Sequence, residues 1–294
     1  MDVTYPAFEH ALVDEPMSRH TTFKVGGPAD VFVTPQTTEE LVRDVYLARE
    51  AHVPYFMLGK GSDLLVSDAG YRGVIFAFDA LCAIEREGDV IVAEAGAALE
   101  DVCEFACAEG LGGLEFACGI PGSIGGACFM NAGAYDGCMA DVLDSVRVLT
   151  KDGEVVEIGA EDLELGYRTS LVRTKELVVL SARLGLVPKD KGQIRATMDD
   201  LMDRRRQKQP LEYGSAGSTF KRPVGYFAGK LIMDAGLKGY RVGDAAVSEK
   251  HAGFVVNLGA ATADEVCQVI EHVQAEVERQ FGVRLEPEVR FLGF

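Results

Sequence analysis

Positive charge is scarce in this 294-residue sequence, where 29 Lys plus Arg stand against 46 Asp plus Glu and give a formal charge of −17. Nucleic-acid binders hold phosphates with clustered cations, and proteins that bind anionic membrane surfaces use polybasic segments. The charge balance argues against both classes. No apolar run approaches the roughly 18 residues of a membrane helix. The opening residues 1–16 hold early acids and no apolar h-region, so no signal peptide is expected.

Paired cysteines are also missing. The count of seven is odd and no C-x-x-C pair occurs, which excludes the common zinc and thioredoxin-like patterns. We therefore expect reduced, mostly buried thiols in a cytoplasmic protein, and no metal site. The cysteines are Cys82, Cys103, Cys107, Cys118, Cys128, Cys138 and Cys267.

Three familiar motifs are absent as well. The sequence has no dinucleotide fingerprint G-x-G-x-x-G after its first strand, no G-x-x-x-x-G-K-[ST] phosphate loop and no G-x-S-x-G nucleophile elbow. Hydrolase roles for Ser62, Ser123 or Ser218 therefore have no motif support.

Glycine, in contrast, is abundant and unevenly placed. Nine of the 33 glycines lie between Gly110 and Gly137. Two glycine-serine loops stand out, Gly59–Asp63 and Gly119–Gly126, the second with the spacing G-x-x-G-x-x-G-G. Each could offer backbone N–H groups and a hydroxyl to a pyrophosphate, although tight turns in a loop-rich core would explain the glycines equally well.

The order of local signals predicts an α+β protein in three parts: 1–80, 81–190 and 191–294. Thr37 with Glu40 has capping-box spacing before an amphipathic helix. Thr262 with Glu265 opens the clearest helix of the chain. Short β-rich runs lie between the helices, and Gly110 is a natural helix end. Two runs flank Asp152-Gly153, which predicts a hairpin.

Several segments, in this order along the chain, resemble the MurB family of UDP-N-acetylenolpyruvoylglucosamine reductases. The segments that resemble the family's flavin-binding half are HTTFKVGGPAD, LGKGSDLLVSDAGYRGV and GIPGSIGGACFMNAGAYD. Those that resemble its substrate half are GYRTS, SAGSTFKRP, AGLKGYRVGDAAVSEKHAGFVVN and LEPEVRFLG. The short interval between Arg168 and Ser218 is similar to the family's shorter, second type.

The resemblance implies a two-part FAD-binding domain of the PCMH/vanillyl-alcohol-oxidase type, formed by 1–80 and 81–190, and a C-terminal α+β substrate domain, 191–294. It implies NADPH-dependent reduction of UDP-N-acetylglucosamine enolpyruvate to UDP-N-acetylmuramate in the cytoplasm, for peptidoglycan synthesis. FAD is the implied cofactor, NADPH the co-substrate, and no nucleic acid, membrane or metal is involved.

The implied catalytic residues are three. After hydride reaches the methylene carbon, charge develops on the substrate carboxylate, and a nearby cation or acidic hydrogen lowers the barrier. Arg168 matches the family's arginine for this task, and Glu288 its glutamate, which must be protonated or held by Arg168 in order to help. Ser218 matches the proton donor to the other carbon and needs polarising neighbours, because a hydroxyl is a weak acid. Glu286 is expected to be an ordinary solvated residue.

The implied ligand contacts surround these residues. Asp63 stands where the family commonly has Asn, which is awkward beside a pyrophosphate unless it points away or pairs with Lys60. Arg222 likewise stands where many family members have Asn, so a substrate contact from its side chain is in doubt. His251 is expected to pack or form a hydrogen bond in a turn and not to act in catalysis. The contacts implied for FAD are Gly59, Gly61, Ser62, Asp63, Pro121, Gly122, Ser123, Gly125 and Gly126, and those for substrate are Tyr167, Lys221 and Lys230.

Two other hypotheses stay open at the level of sequence. One is a sugar or hydroxy-acid oxidase of the same FAD-binding superfamily, which would share the 58–126 loops and react rapidly with oxygen. The other is a nucleotide-sugar sensor without turnover, which the filled catalytic positions argue against. The preference between NADPH and NADH has no separate fingerprint. Residues 191–250 hold 12 basic and 7 acidic side chains, so the expected substrate segment is locally basic in an acidic protein.

Overall fold

The computed structural model describes residues 4–294, in which helices and strands alternate as expected for an α+β protein. The helices are α1 (Thr38–Glu50), α2 (Leu99–Glu109), α3 (Ile124–Met130), α4 (Leu171–Thr174), α5 (Lys191–Lys208), α6 (Ala228–Asp234) and α7 (Ala263–Phe281). The strands are β1 (Ala11–Pro16), β2 (Pro28–Val33), β3 (Tyr55–Leu58), β4 (Leu64–Val66), β5 (Tyr71–Ala77), β6 (Ile84–Glu87), β7 (Val90–Glu94), β8 (Leu111–Gly112), β9 (Gly133–Ala134), β10 (Gly137–Cys138), β11 (Leu143–Leu149), β12 (Val155–Gly159), β13 (Val178–Gly185), β14 (Val187–Pro188), β15 (Gly214–Ser215), β16 (Arg241–Val242), β17 (Ala245–Val247), β18 (Val255–Asn257) and β19 (Arg290–Leu292). None of the helices in this described part is both long and apolar enough to cross a bilayer.

The helix boundaries follow from local capping chemistry. The Thr37 hydroxyl accepts a hydrogen bond from the Glu40 N–H at 3.2 Å and starts α1. Thr262 and Glu265 form the full reciprocal box at α7. Such caps satisfy N–H groups that have no partner inside the helix. Gly110 follows α2 at φ 71, a left-handed conformation that glycine adopts without a Cβ clash. These sequence predictions are confirmed.

The hairpin predicted around Asp152-Gly153 joins β11 and β12, which pair antiparallel. Its turn is one residue longer than the dipeptide alone suggests, because the Thr150 N–H donates to the Glu154 carbonyl at 2.8 Å. Gly153 takes the left-handed position at φ 86. This is the three-residue hairpin loop, whose last residue is left-handed, a conformation that glycine adopts without a Cβ clash.

One compact unit comprises residues 4–12, 32–60 and 74–205 of the described chain. Its centre is a five-stranded antiparallel sheet in the order β12-β11-β13-β7-β6. Helix α3 packs against β13 and β7 of this sheet. The fully buried Ile91, Val146, Val148 and Leu184 come from these strands, and Ile124 comes from α3. The second glycine-serine loop therefore leads into a helix that rests on a sheet.

The other compact unit comprises residues 13–31, 61–73 and 206–294. It holds the antiparallel sheet β15-β18-β17-β16 and the parallel pair β19-β4. Helix α7 contributes the predicted apolar stripe, and Val266, Val269 and Val273 are fully buried. The Asp68 carboxylate accepts hydrogen bonds from the Ala263 and Asp264 N–H groups at 2.9 and 3.0 Å and holds the start of α7.

The two units interleave along the chain. A further sheet has the order β1-β2-β5-β3, and the chain passes from one unit to the other within β1, β2 and β5. It passes again at Lys60–Gly61 and near the end of α5. The division into 1–80, 81–190 and 191–294 concerns which ligand each part binds, and it stays a prediction.

Candidate active site

The first unit brings Gly59, from the first glycine-serine loop, against Ser123 of the second. A Cβ atom on Gly59 would lie 2.3 Å from the Ser123 Oγ, so a larger residue there would force this hydroxyl to move. The buried Ser123 hydroxyl in turn accepts a hydrogen bond from the Gly126 N–H at 3.3 Å and caps α3. Pro121 is exposed and Gly122 half-buried beside it. Gly59 thus packs beside the loop from Pro121 to Gly126, and we call these residues together the glycine cradle.

Two neighbouring glycines of this cradle differ in an informative way. Gly125 is buried, and a Cβ there would lie 3.0 Å from the Ala95 Cβ, so the packing of the protein itself favours glycine. Gly126 is exposed, and a Cβ there would meet only the Ser123 Oγ at 3.5 Å, an ordinary contact. A helical glycine costs up to about 1 kcal/mol relative to alanine. The fold gives no reason for Gly126, whereas a ligand that approaches the backbone does.

Arg205 is a charged neighbour of the cradle that sequence reasoning missed. A Cβ on Gly119 would lie 2.8 Å from the Arg205 Cδ. Burial lowers the pKa of Arg205, and no carboxylate in the described part of the chain forms an ion pair with it. The available signal was helical spacing, because Met198, Met202 and Arg205 follow one another on one face of α5.

Arg168 lies at the tip of a tight turn in the same unit. Gly166 and Thr169 exchange two backbone hydrogen bonds, at 3.1 and 3.3 Å, and Tyr167 and Arg168 occupy the bend. Arg168 has φ 55, a left-handed conformation that is uncommon for a residue with a Cβ. Its guanidinium carbon lies 5.2 Å from the centre of the exposed Tyr167 ring. The turn therefore presents both predicted site residues together.

Ser218 and Glu288 are brought together within the second unit. The Glu288 N–H donates to the Thr219 carbonyl at 2.9 Å, and Phe220 pairs antiparallel with Pro287. The buried Thr219 fixes this segment further, because its Oγ1 accepts from the Val255 N–H at 2.9 Å. Ser218 itself is exposed and Glu288 half-buried. Two residues far apart in sequence thus lie on segments whose backbones are hydrogen-bonded to each other.

The predicted substrate lysines of the second unit carry surface ion pairs. The Lys221 Nζ lies 3.3 Å from the Glu286 carboxylate, and the Lys230 Nζ 2.5 Å from that of Asp234. Glu286 is largely exposed, in agreement with the solvated role expected of it. Exposed ion pairs contribute little stability, so either ammonium can exchange its carboxylate for a phosphate at small cost. The Arg222 guanidinium lies 3.9 Å from the centre of the Phe227 ring.

The remaining loop residues are held by backbone contacts. Gly61 has φ 59, and a Cβ there would lie 2.0 Å from the His20 carbonyl oxygen. Ser62 follows it as a half-buried residue, and the Asp63 carbonyl accepts from the Arg290 N–H at 3.1 Å. Lys60 forms its ion pair with Asp79, at 3.3 Å.

His251 has the structural role that the sequence predicts. Its Nδ1 accepts a hydrogen bond from the Gly253 N–H at 3.1 Å, which closes a short turn. Burial lowers the pKa of the imidazole below its ordinary value. An acceptor at Nδ1 places the proton of the neutral ring on Nε2.

Comparison with known proteins identifies the family. Residues 29–159 match the model of an FAD binding domain, and residues 209–292 that of the UDP-N-acetylenolpyruvoylglucosamine reductase C-terminal domain. A reductase of that name from Clostridium perfringens is 55% identical over 285 residues, which cover 97% of this chain and 94% of the relative. The chain belongs to the UDP-N-acetylenolpyruvoylglucosamine reductase family. The reductase of Exiguobacterium sibiricum is 51% identical over 98% of this chain and 94% of its own.

Solved structures support the same conclusion. The crystal structure of the MurB reductase from Thermus caldophilus has a TM-score of 0.82 and 37% identity, covering 96% of this chain and 98% of that one. A cholesterol oxidase from B. sterolicum, at 19% identity and a TM-score of 0.50 over 63% of this chain and 39% of that one, shares the fold of the FAD-binding part. The predicted fold class and the FAD cofactor are confirmed. The residues present fit FAD, since the glycine cradle leaves the backbone of Gly126 open to a ligand.

Proposed function

We propose that this reductase converts UDP-N-acetylglucosamine enolpyruvate to UDP-N-acetylmuramate for peptidoglycan synthesis, with NADPH as the electron donor. FAD held at the glycine cradle would supply the hydride chemistry for reduction of the enolpyruvyl ether. The observation that carries the proposal is the pairing of the Ser218 and Glu288 segments through Thr219. An exposed hydroxyl and a half-buried carboxyl on segments joined by a backbone hydrogen bond suit a reaction that needs both proton transfer and charge stabilisation.

The glycine cradle is the proposed FAD site. Glycine backbone can approach a pyrophosphate closely, and successive N–H groups offer hydrogen bonds to it. Ser62 offers a further hydroxyl, and the first two predicted domains, 1–80 and 81–190, supply these loops. The residues proposed to contact FAD are Gly59, Gly61, Ser62, Asp63, Pro121, Gly122, Ser123, Gly125 and Gly126.

Arg168 and Glu288 are proposed to stabilise the substrate carboxylate. As hydride reaches the methylene carbon, negative charge develops on this group, and the fixed cation of Arg168 lowers its energy. Glu288 helps when it is protonated or when Arg168 shares its charge, because a free second carboxylate would repel the developing anion. The left-handed turn at Arg168 supports this role, because it limits the positions that the guanidinium can reach.

Ser218 is proposed to donate the proton to the other vinyl carbon. The bonds of Thr219 to Val255 and Glu288 hold the backbone beside it. A hydroxyl is a weak acid, so close placement and polarisation must compensate.

The third predicted domain, 191–294, is proposed to bind the UDP-sugar. Lys221 and Lys230 suit the diphosphate, since both ammonium groups are on the surface and hold only exchangeable ion pairs. Tyr167, with 58% of its surface exposed, suits the sugar or base. The seven free thiols favour a reducing, cytoplasmic location.

Separating the two half-reactions tests the proposal. In stopped-flow absorbance, the Ser218→Ala enzyme with FAD should be bleached by NADPH at the wild-type rate. It should then fail to regain its yellow colour with the enolpyruvyl UDP-sugar, because the proton donor is missing. Ser215→Ala is the matched control, since Ser215 contributes backbone groups to its bonds with Thr22.

Each half-reaction can contradict a different part. Loss of bleaching in Ser218→Ala would contradict the proton-donor role. Rapid return of colour with oxygen, and none with the UDP-sugar, would contradict the reductase itself and favour an oxidase.

A further inference from the structure

The turn that carries Arg168 is tied to the C-terminal end of α3 by three side chains. The Asn131 Nδ2 donates to the Gly166 carbonyl at 3.0 Å. The Ser170 hydroxyl donates to the Phe129 carbonyl at 2.8 Å. Because α3 packs on the central sheet of the same unit, these bonds anchor the turn to the core of that unit.

The third of these side chains, Arg173, reaches Arg168 directly. Its Nη1 donates to the Arg168 carbonyl oxygen at 2.6 Å and lies 3.8 Å from the Met130 Sδ. Its guanidinium carbon lies 5.9 Å from the centre of the Phe129 ring. The guanidinium thus bridges the Arg168 backbone and the end of α3.

The charge of Arg173 has no carboxylate to explain it. Over residues 4–294 no Asp or Glu forms an ion pair with this guanidinium, although the protein carries a large excess of acids. Its polar contact is instead a carbonyl, and hydrogen bonds from a charged donor are stronger than neutral ones. The carbonyl belongs to the residue at φ 55, a backbone conformation that surrounding contacts must maintain.

We propose that Arg173 is a positioning residue that holds the left-handed Arg168 turn in the orientation needed at the substrate carboxylate. This inference rests on the role proposed for Arg168. Without the Arg173 bond the turn would relax toward ordinary backbone angles, and the Arg168 guanidinium would move with it. Misplacement of about 1 Å can lower a rate by up to roughly a hundredfold.

Half-reaction kinetics of the FAD-loaded enzyme test this assignment. Arg173→Met should keep the wild-type rate of bleaching by NADPH and slow reoxidation by the enolpyruvyl UDP-sugar by roughly ten- to a hundredfold. Arg173→Lys should restore part of the lost rate, since an ammonium also donates to a carbonyl but lacks the guanidinium fork that reaches the end of α3 as well. Lys175→Met, at an exposed lysine two residues along, is the control and should match wild type in both steps.

A double-mutant cycle separates this inference from the proposed function. If Arg173 acts through Arg168, then Arg168→Met with Arg173→Met should reoxidise no more slowly than Arg168→Met alone. A slow Arg168→Met enzyme beside a wild-type Arg173→Met enzyme would overturn the Arg173 assignment only. Additive losses, or equal losses in both half-reactions, would show a general structural role and overturn it too. A wild-type rate in Arg168→Met would overturn the proposed role of Arg168 and, with it, this inference.

Discussion

Substitution of Gly126 by alanine should stabilise the FAD-free protein and weaken its binding of FAD. A Cβ at this position would meet only the Ser123 Oγ, at 3.5 Å, so no steric cost arises within the protein. Alanine in place of a helical glycine should raise the free energy of unfolding by up to about 1 kcal/mol. The added methyl group would occupy the open side of the glycine cradle. We therefore expect the Kd for FAD to rise at least about tenfold, or about 1.4 kcal/mol.

The assay has two arms and a matched control. Urea denaturation of the FAD-free protein gives the free energy of unfolding, and quenching of FAD fluorescence gives the Kd. Gly125→Ala should instead lower the free energy of unfolding by about 1–3 kcal/mol, because this Cβ would lie 3.0 Å from the Ala95 Cβ. Unchanged FAD affinity in Gly126→Ala would refute the reasoning that a ligand, rather than the fold, requires this glycine.

Three further predictions concern capping, packing and pH. Gly59→Ala should lower the free energy of unfolding by about 1–3 kcal/mol, and Ser123→Ala should lower it by about 1 kcal/mol. The double variant should lose less than the sum, because removal of the hydroxyl removes the 2.3 Å clash. Additive losses in urea denaturation would contradict this. Thr262→Ala should lower the free energy of unfolding by about 1 kcal/mol through the lost cap of α7, and an unchanged urea midpoint would count against it. Burial lowers the pKa of His251 below 6.5 in the folded state, so the unfolded chain binds more protons at this residue, and the free energy of unfolding should fall as pH drops below 6.5. His251→Gln should show a weaker fall. Equal slopes of unfolding free energy against pH in both proteins would contradict the assignment.

Local chemistry was the part of the fold that sequence could predict. The caps at Thr37 and Thr262, the left-handed end at Gly110 and the apolar stripe of α7 depend on residues a few positions apart. The hairpin turn at Gly153 was located correctly for the same reason, and its length differs because β11 and β12 set the register.

Contacts between distant segments could not be derived from pattern alone. The backbone pairing of the Ser218 and Glu288 segments depends on the tertiary path of the chain, and the resemblance implied the roles of these two residues without predicting the pairing. Arg173 and Arg205 were missed because their significance lies in a carbonyl and a glycine contributed by other elements. The interleaving of the two compact units likewise leaves no composition boundary in the sequence.

The most direct test of the account is an anaerobic titration of the purified protein followed by visible absorbance. We expect a yellow protein that NADPH bleaches and whose colour the enolpyruvyl UDP-sugar restores, with UDP-N-acetylmuramate as the product. A protein that binds no FAD, or a bleached flavin that this substrate cannot reoxidise, would contradict it.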